Sequence, residues 1–331
     1  MRYLLVDFAN TFFRSRFIAA KQSDDWEKVG FAIHSTLASI NKCWRDQKAD
    51  HVVICLEGRS WRKSFYAPYK ANRAVAAAAK TLAEQELDKM FYETFDHVKT
   101  FLQSKTNCTV MQHSELEADD LIAGWIQQHP DANHTIISSD TDYIQLIAPN
   151  VNQYNGISDQ LFTTTGVFDG RGKPVINKKT REVMGAPDPE WLLFEKCVRG
   201  DATDNVFSAF PGVRTKGSKN KVGLQEAYAD KHKQGFAWNN LMLSRWTDHN
   251  GVEHRVMDDY ERNRVLVDLS AQPADIKAKL VETINTNSVV LARSMIGAHL
   301  MKFCGKYELI KISDNAQQYA EWMSAQYQLK G

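Results

Sequence analysis

The chain has 331 residues, 43% of them apolar and 24% charged, and its 41 Lys and Arg nearly cancel its 40 Asp and Glu. That length holds about two domains with a sizeable core. The balance excludes a disordered chain, a fibrous chain and a uniformly basic DNA-coating protein, so any nucleic-acid function has to come from local charge segregation. The five cysteines (Cys43, Cys55, Cys108, Cys197, Cys304) are scattered without a CxxC pair. This argues against a disulfide framework or zinc knuckle and for a reducing cytoplasm. Asp7 interrupts the first apolar run too early for a signal peptide, and no run approaches membrane-spanning length, so no membrane is expected as a partner.

In chain order, residues 3–6 read as a strand, as do 51–56, 107–111 and 134–138, with a weaker candidate at 150–154. Helical periodicity runs through 26–47 (Phe31, Ile33, Leu37, Ile40, Trp44) and through the Ala- and Glu-rich stretch 74–104. A further helix starts near Glu117 and stops before Pro130. Short apolar runs alternating with helices predict an α/β fold with a mainly parallel sheet flanked by helices. The Gly- and Pro-rich stretch 166–189 reads as a loop or short hairpin leading out of that layer. Beyond it, 190–199, 221–229, 259–269, 273–285 and 288–304 are helical patterns without clear strands. The expected division is an α/β domain over 1–189 and a helical part over 190–331.

The acids fall in a pattern. Asp7 ends the first strand, Glu57 follows the second, Glu117 and Asp119 the third, Asp140 and Asp142 the fourth. The carboxyl ends of parallel strands lie along one edge, where ligands bind, so four strands deliver acids to one rim. Asp120 lies one turn after Glu117 and shares its helix face. Asp201 and Asp204 form a further pair where the helical region begins. A lone Asp at a strand end is ordinarily a helix N-cap, but so many converging carboxylates repel one another unless cations neutralise them. Oxygen ligands without His or Cys suit hard divalent ions, Mg²⁺ or Mn²⁺, and the number of carboxylates suits two.

Positive charge is local too. Residues 58–83 carry Arg59, Arg62, Lys63, Lys70, Arg73 and Lys80, no acid, and the aromatics Trp61, Phe65, Tyr66 and Tyr69. Cations interleaved with aromatics suit a single-stranded nucleic acid or a frayed duplex end. A second basic run holds Arg214, Lys216, Lys219 and Lys221, with Gly217 and Ser218 between, just before a helix. Such a stretch offers backbone N–H groups to a phosphate.

Together these blocks resemble the 5′ nucleases, the flap endonucleases and 5′–3′ exonucleases. They run in that family's order: Leu-Leu-Val-Asp7-Phe-Ala-Asn10; Ser-Trp-Arg62 and Tyr69-Lys70-Ala-Asn-Arg73; Glu115-Leu-Glu117-Ala-Asp119-Asp120; Ser139-Asp140-Thr-Asp142; Gly200-Asp201-Ala-Thr-Asp204-Asn205; and Pro211-Gly212-Val213. They span about two thirds of the chain and are most like the blocks of phage replication members.

The resemblance implies a twisted sheet, a helical arch near 60–104 formed by residues 74–104, and a C-terminal helix–three-turn–helix part on duplex DNA. It implies a first metal on Asp7, Glu57, Glu117 and Asp119 and a second on Asp140, Asp142, Asp201 and Asp204, with Asp120 serving directly or behind another ligand. Lys70 and Arg73 would touch the scissile phosphate with Arg62 nearby, Tyr69 would stack on the terminal base, and Gly212, Lys216, Gly217, Ser218, Lys219 and Lys221 would meet the duplex.

Two departures from the family pattern stand out. Glu57 occupies a usual Asp position, and Thr215-Lys216-Gly217 supplies only the second glycine of the usual Gly-x-Gly, where a K⁺ would sit on backbone carbonyls. The implied activity is cleavage of DNA and RNA/DNA (an RNase H activity) at 5′ flaps, nicks and forks for primer removal in phage replication. The implied setting is a monomer in the host cytoplasm, with a single-strand-binding protein or sliding clamp as partner. The rivals are a phosphatase with Asp7 as nucleophile, a junction binder without catalysis, and a toxin-type ribonuclease. Ala9 stands where the phosphatase needs a second acid, and toxin-type enzymes are shorter.

Overall fold

A computed structural model describes residues 1–16, 24–219, 221–288 and 292–327. The chain forms two compact units: Met1–Ser60 with Lys80–Pro187 and Ala274–Gly331, and Trp61–Ala79 with Asp188–Pro273. No helix among the described residues is long and apolar enough to cross a membrane.

The first unit is built on a seven-stranded sheet of order β3-β2-β1-β4-β5-β6-β7. Its strands are β1 Arg2–Asp7, β2 His51–Cys55, β3 Thr109–Met111, β4 Asn133–Ile137, β5 Val151–Asn155, β6 Gln160–Thr163 and β7 Gly166–Asp169. The pairs β1–β2, β1–β4, β2–β3 and β4–β5 are parallel, while β6 and β7 add an antiparallel edge. β1 and β2 are near-continuous apolar runs with Leu4, Leu5, Val6, Val52, Val53 and Ile54 fully buried, as expected of strands covered on both faces. The strands expected at 3–6, 51–56, 107–111, 134–138 and 150–154 are thus present. The hairpin β6–β7 was not expected at 160–165, where short, half-buried strands show no alternation to read.

Helix Asp25–Gln47 starts on Asp24, whose side chain accepts from the Trp26 N–H, and buries Val29, Ile33, Leu37 and Ile40. Helix Leu82–Lys105 starts on a Thr81–Glu84 capping box, which satisfies two amides the helix itself leaves unpaired. It buries Phe91, Thr94, Val98, Phe101 and Leu102. This corrects the expectation of an arch over 74–104: from Phe91 onward the stretch is core helix, and its fully exposed part ends at Glu86. The same core takes in the chain's last helices. Leu300 and Phe303 of helix Ile296–Lys306, its C-cap Tyr307, then Ile312, Tyr319 and Trp322, join Leu4, Val6, Phe8 and Phe12. The segment from Ala274 therefore groups with the α/β unit, where a boundary at 189/190 assigns it to the helical part.

The second unit holds helices Arg62–Phe65, Ala71–Ala78, Pro189–Arg199, Leu224–Ala229, Phe236–Met242 and Val256–Val267. The last four pack around Phe194, Trp238, Leu241 and Tyr260. A short hairpin, β8 Arg245–Thr247 and β9 Glu253–Arg255, interrupts what the sequence presents as purely helical, with Trp246 stacked on His254 at 4.4 Å.

Candidate active site

In the first unit, Asp7 closes β1 and caps the helix Phe8–Phe13 that follows. Its carboxylate is buried and accepts from the Asn10 N–H (3.1 Å), the Ser138 hydroxyl (3.0 Å) and the Tyr143 hydroxyl (3.3 Å). Burial pushes the Asp7 carboxyl up to about 6, and the neighbouring Asp140 charge adds to it against those three donors. Ser138 also accepts from the Asp140 N–H at 3.1 Å, so one hydroxyl ties the end of β1 to the loop after β4. Asp140 in turn caps a short 3₁₀ helix, Thr141–Leu146, by accepting from the Asp142 N–H. Buried Gln153 on β5 pins the loop from behind, donating to the Ser138 and Asp140 carbonyls.

The other acids gather at the start of helix Ala118–Gln128. Glu117 and Asp120 form a reciprocal cap, and carboxylate oxygens of Glu117, Asp119 and Asp120 all lie within 4.8 Å of one another. Among the described residues this is the one group of three or more acids, histidines or cysteines so close. The Ser60 hydroxyl donates to the buried Glu117 carboxylate at 2.6 Å. The exposed Glu57 reaches back to the same helix start, accepting from the Ala118 N–H at 3.3 Å. Tyr143 joins the two groups: burial raises its hydroxyl pKa far above the usual value, and the negative charges of Asp7, Asp119, Glu57 and Asp140 reinforce this. All the donors are oxygens, three carboxylates crowd together, and among the described residues Asp7 forms no ion pair within 4 Å. The set fits hard divalent cations.

In the second unit, Asp201 and Asp204 sit in a tight turn with Asn205 at φ 55°. Burial works against the Asp201 charge, but the Lys196 ammonium at 2.8 Å and the Thr203 and Asp204 amides hold its carboxyl below the usual range. Asp204 accepts from Arg73 (2.8 Å) and the Tyr69 hydroxyl (3.1 Å), with Lys70 Nζ at 3.6 Å. Lys70 and Arg73 therefore share a target, and in this structure it is the Asp204 carboxylate. Two expectations are corrected here. Arg62 is fully buried, donating to the Leu266 carbonyl and lying over Trp61, so it presents nothing to DNA. Tyr69 is 3% exposed, with its ring beneath Lys70, and cannot stack on a base.

The glycine-rich turn is also corrected in part. The N–H groups of Gly217 and Gly223 both donate to the Glu226 carboxylate at 3.0 Å, and the Ser218 N–H donates to the Lys221 carbonyl. These amides are therefore engaged within the turn, while the side chains of Lys216, Ser218, Lys219 and Lys221 stay exposed. Gly212 takes φ 72° in the exposed turn before it. Sequence reasoning missed the supporting residues Ser60, Ser138, Tyr143, Gln153 and Glu226. The hydroxyls next to acid blocks, as in Ser138-Ser139-Asp140, were the available signal.

This arrangement has the fold of the T5 5′-exonuclease. The zinc-bound structure of that protein aligns with a TM-score of 0.59 at 18% identity, over 87% of this chain and 99% of that one. A T5 D15 flap endonuclease pseudo-enzyme–product complex with DNA and metal ions aligns with a TM-score of 0.55 at 18% identity, over 97% and 100%. The family model of the 5′-3′ exonuclease N-terminal resolvase-like domain matches residues 2–172. The chain belongs to that family.

Among curated relatives, DNA polymerase I of Rhizobium leguminosarum is 27% identical over 233 residues, 69% of this chain and 19% of that protein. The flap endonuclease Xni of Aeromonas hydrophila is 32% identical over 156 residues, 45% of this chain and 53% of that one. The 5′-3′ exonuclease of Buchnera aphidicola is 24% identical over 235 residues, 69% and 70%. The chain spans a quarter or less of the DNA polymerase I relatives it matches.

Proposed function

We propose that the chain is a structure-selective 5′ nuclease that hydrolyses phosphodiesters of DNA and RNA/DNA at flaps, nicks and forks, releasing a 5′-phosphate and a 3′-hydroxyl. The observation that carries this reading is the carboxylate group of Glu117, Asp119 and Asp120, whose oxygens lie within 4.8 Å of one another, together with the buried Asp7 carboxylate at the end of β1. Asp7, Glu57, Glu117 and Asp119, with Asp120 behind them, would hold one Mg²⁺ or Mn²⁺. Asp140 and Asp142 would supply ligands to another, and Asp201 and Asp204 form a separate acidic pair within the second unit. Held there, such ions would supply activation of a water and charge stabilisation at the leaving 3′ oxygen.

The chain's own residues do the rest. Ser138, Tyr143 and the Asn10 amide fix the Asp7 carboxylate, Ser60 fixes Glu117, and Gln153 fixes the loop of Asp140. Arg73 offers a planar fork and Lys70 a point charge to a phosphate whose negative charge grows in the transition state. Exposed Lys216, Lys219 and Lys221 would meet the duplex backbone in the helical unit; a K⁺ at that turn has only Gly217 of the usual glycine pair to support it. Primer removal in phage replication, inside the host cytoplasm, is the role that fits such an activity.

The test is to incubate the protein with an end-labelled 5′-flap duplex and Mg²⁺ and to map the products. Cleavage at the junction that EDTA abolishes is expected. Tight binding without cleavage in either Mg²⁺ or Mn²⁺ would leave a junction binder instead.

A further inference from the structure

The first unit carries a charged feature that no acid block touches. After β7 the chain makes two further short passes, Phe168 bridging to Pro174 and Ile176 to Val183, which extend the sheet beyond β7. Residues 171–181 hold five cations (Arg171, Lys173, Lys178, Lys179, Arg181) and no acid. All five are exposed, and among the described residues none forms an ion pair.

Both turns that display them are built by side chains. The Asp169 carboxylate accepts from the Arg171 and Lys173 amides, and the Asn177 side-chain oxygen Oδ1 accepts from the Lys179 and Thr180 amides. The cations are therefore presented by ordered turns and not by a loose tail. Strand directions place them. β7 pairs antiparallel to β6 and β6 antiparallel to β5, so β7 runs with β1 and its carboxyl end lies on the acidic edge. The Arg171–Lys173 turn sits four strands from β1 in the sheet order, about 19 Å along the rim at normal strand spacing. The Lys178–Arg181 turn lies at the other end of the next pass, about 16 Å of extended chain away.

We infer that this meander is a phosphate-backbone strip that grips the nucleic-acid substrate beyond the cleavage point. A duplex carries one charge per about 1.7 Å of axis, so a strip this long matches several phosphates at once. The inference rests on the nuclease reading for the identity of its occupant.

The test measures affinity for a fluorescent 5′-flap duplex, with Ca²⁺ replacing Mg²⁺, between about 50 and about 200 mM KCl. The triple variant Lys178→Ala, Lys179→Ala, Arg181→Ala should bind more weakly. If its three cations contact phosphates, the slope of log Kd against log salt falls by about 2.7, so wild type should lose roughly 40-fold more affinity over that range than the variant. A charge-preserving set, Lys178→Arg, Lys179→Arg, Arg181→Lys, should keep the wild-type slope. An unchanged slope in the alanine variant overturns the strip. Wild type that binds with this slope but never cuts in Mg²⁺ overturns the nuclease reading and leaves the strip standing. Wild type that does not bind the duplex overturns both.

Discussion

At the residue scale, Asp7 is the most exacting position. A carboxyl raised from 3.8 to about 6 by burial and by Asp140 holds its proton more tightly folded than unfolded. Below about 4 the group is protonated in both states; as pH rises through the folded value the fold loses stability, by about 3 kcal/mol once the group ionises. Asp7→Asn removes that loss. In EDTA, the variant should match wild type near pH 4 and melt above it from pH 6 upward, while losing cleavage and any rise in melting temperature with Mg²⁺. Parallel melting curves at every pH would mean that Asp7 is already compensated. The acids themselves were legible in the sequence because strand ends and helix starts are legible. The burial of Arg62 and Tyr69 was not, because a cation beside aromatics looks the same whether it faces a phosphate or the Leu266 carbonyl.

The turn at 214–225 shows at the element scale how a glycine is used twice over. A Cβ at Gly217 would meet the Lys221 carbonyl oxygen at 2.4 Å and the Gly223 nitrogen at 2.8 Å, both backbone atoms that cannot swing away. Gly217→Ala should therefore cost about 1–3 kcal/mol of overpacking, appearing as faster exchange of the Gly223 amide that Glu226 now holds. Unchanged exchange would mean that the turn has room to shift. The Gly-Lys-Ser composition predicted a turn, and the turn is there; that its amides serve Glu226 depends on a residue nine positions on. Similarly, helix 82–105 was visible from its periodicity, but periodicity says only that one face is apolar, not that the face from Phe91 onward meets Phe8 and Phe12.

On the scale of the whole molecule, the α/β unit closes with the chain's last described helices. Trp322 is fully buried in the same core as β1. Trp322→Ala should cost about 3–5 kcal/mol and lower the melting temperature, whereas its effect on cleavage at low temperature should be small because it touches none of the acids. Loss of cleavage with an unchanged melting temperature would contradict this. The parallel order of the sheet was predictable from alternating strands and helices, but not the long return of residues 296–324, whose partners lie two to three hundred residues upstream. The acid-bearing strands β3, β2, β1 and β4 are immediate neighbours, so the rim works as a ruler graduated in backbone hydrogen-bond spacings of about 4.8 Å. Side-chain choice cannot alter those graduations. Whatever the rim grips, adjustment to its size is left to the length of each arm: one carbon at Asp7, Asp119 and Asp140, and one methylene more at Glu57 and Glu117.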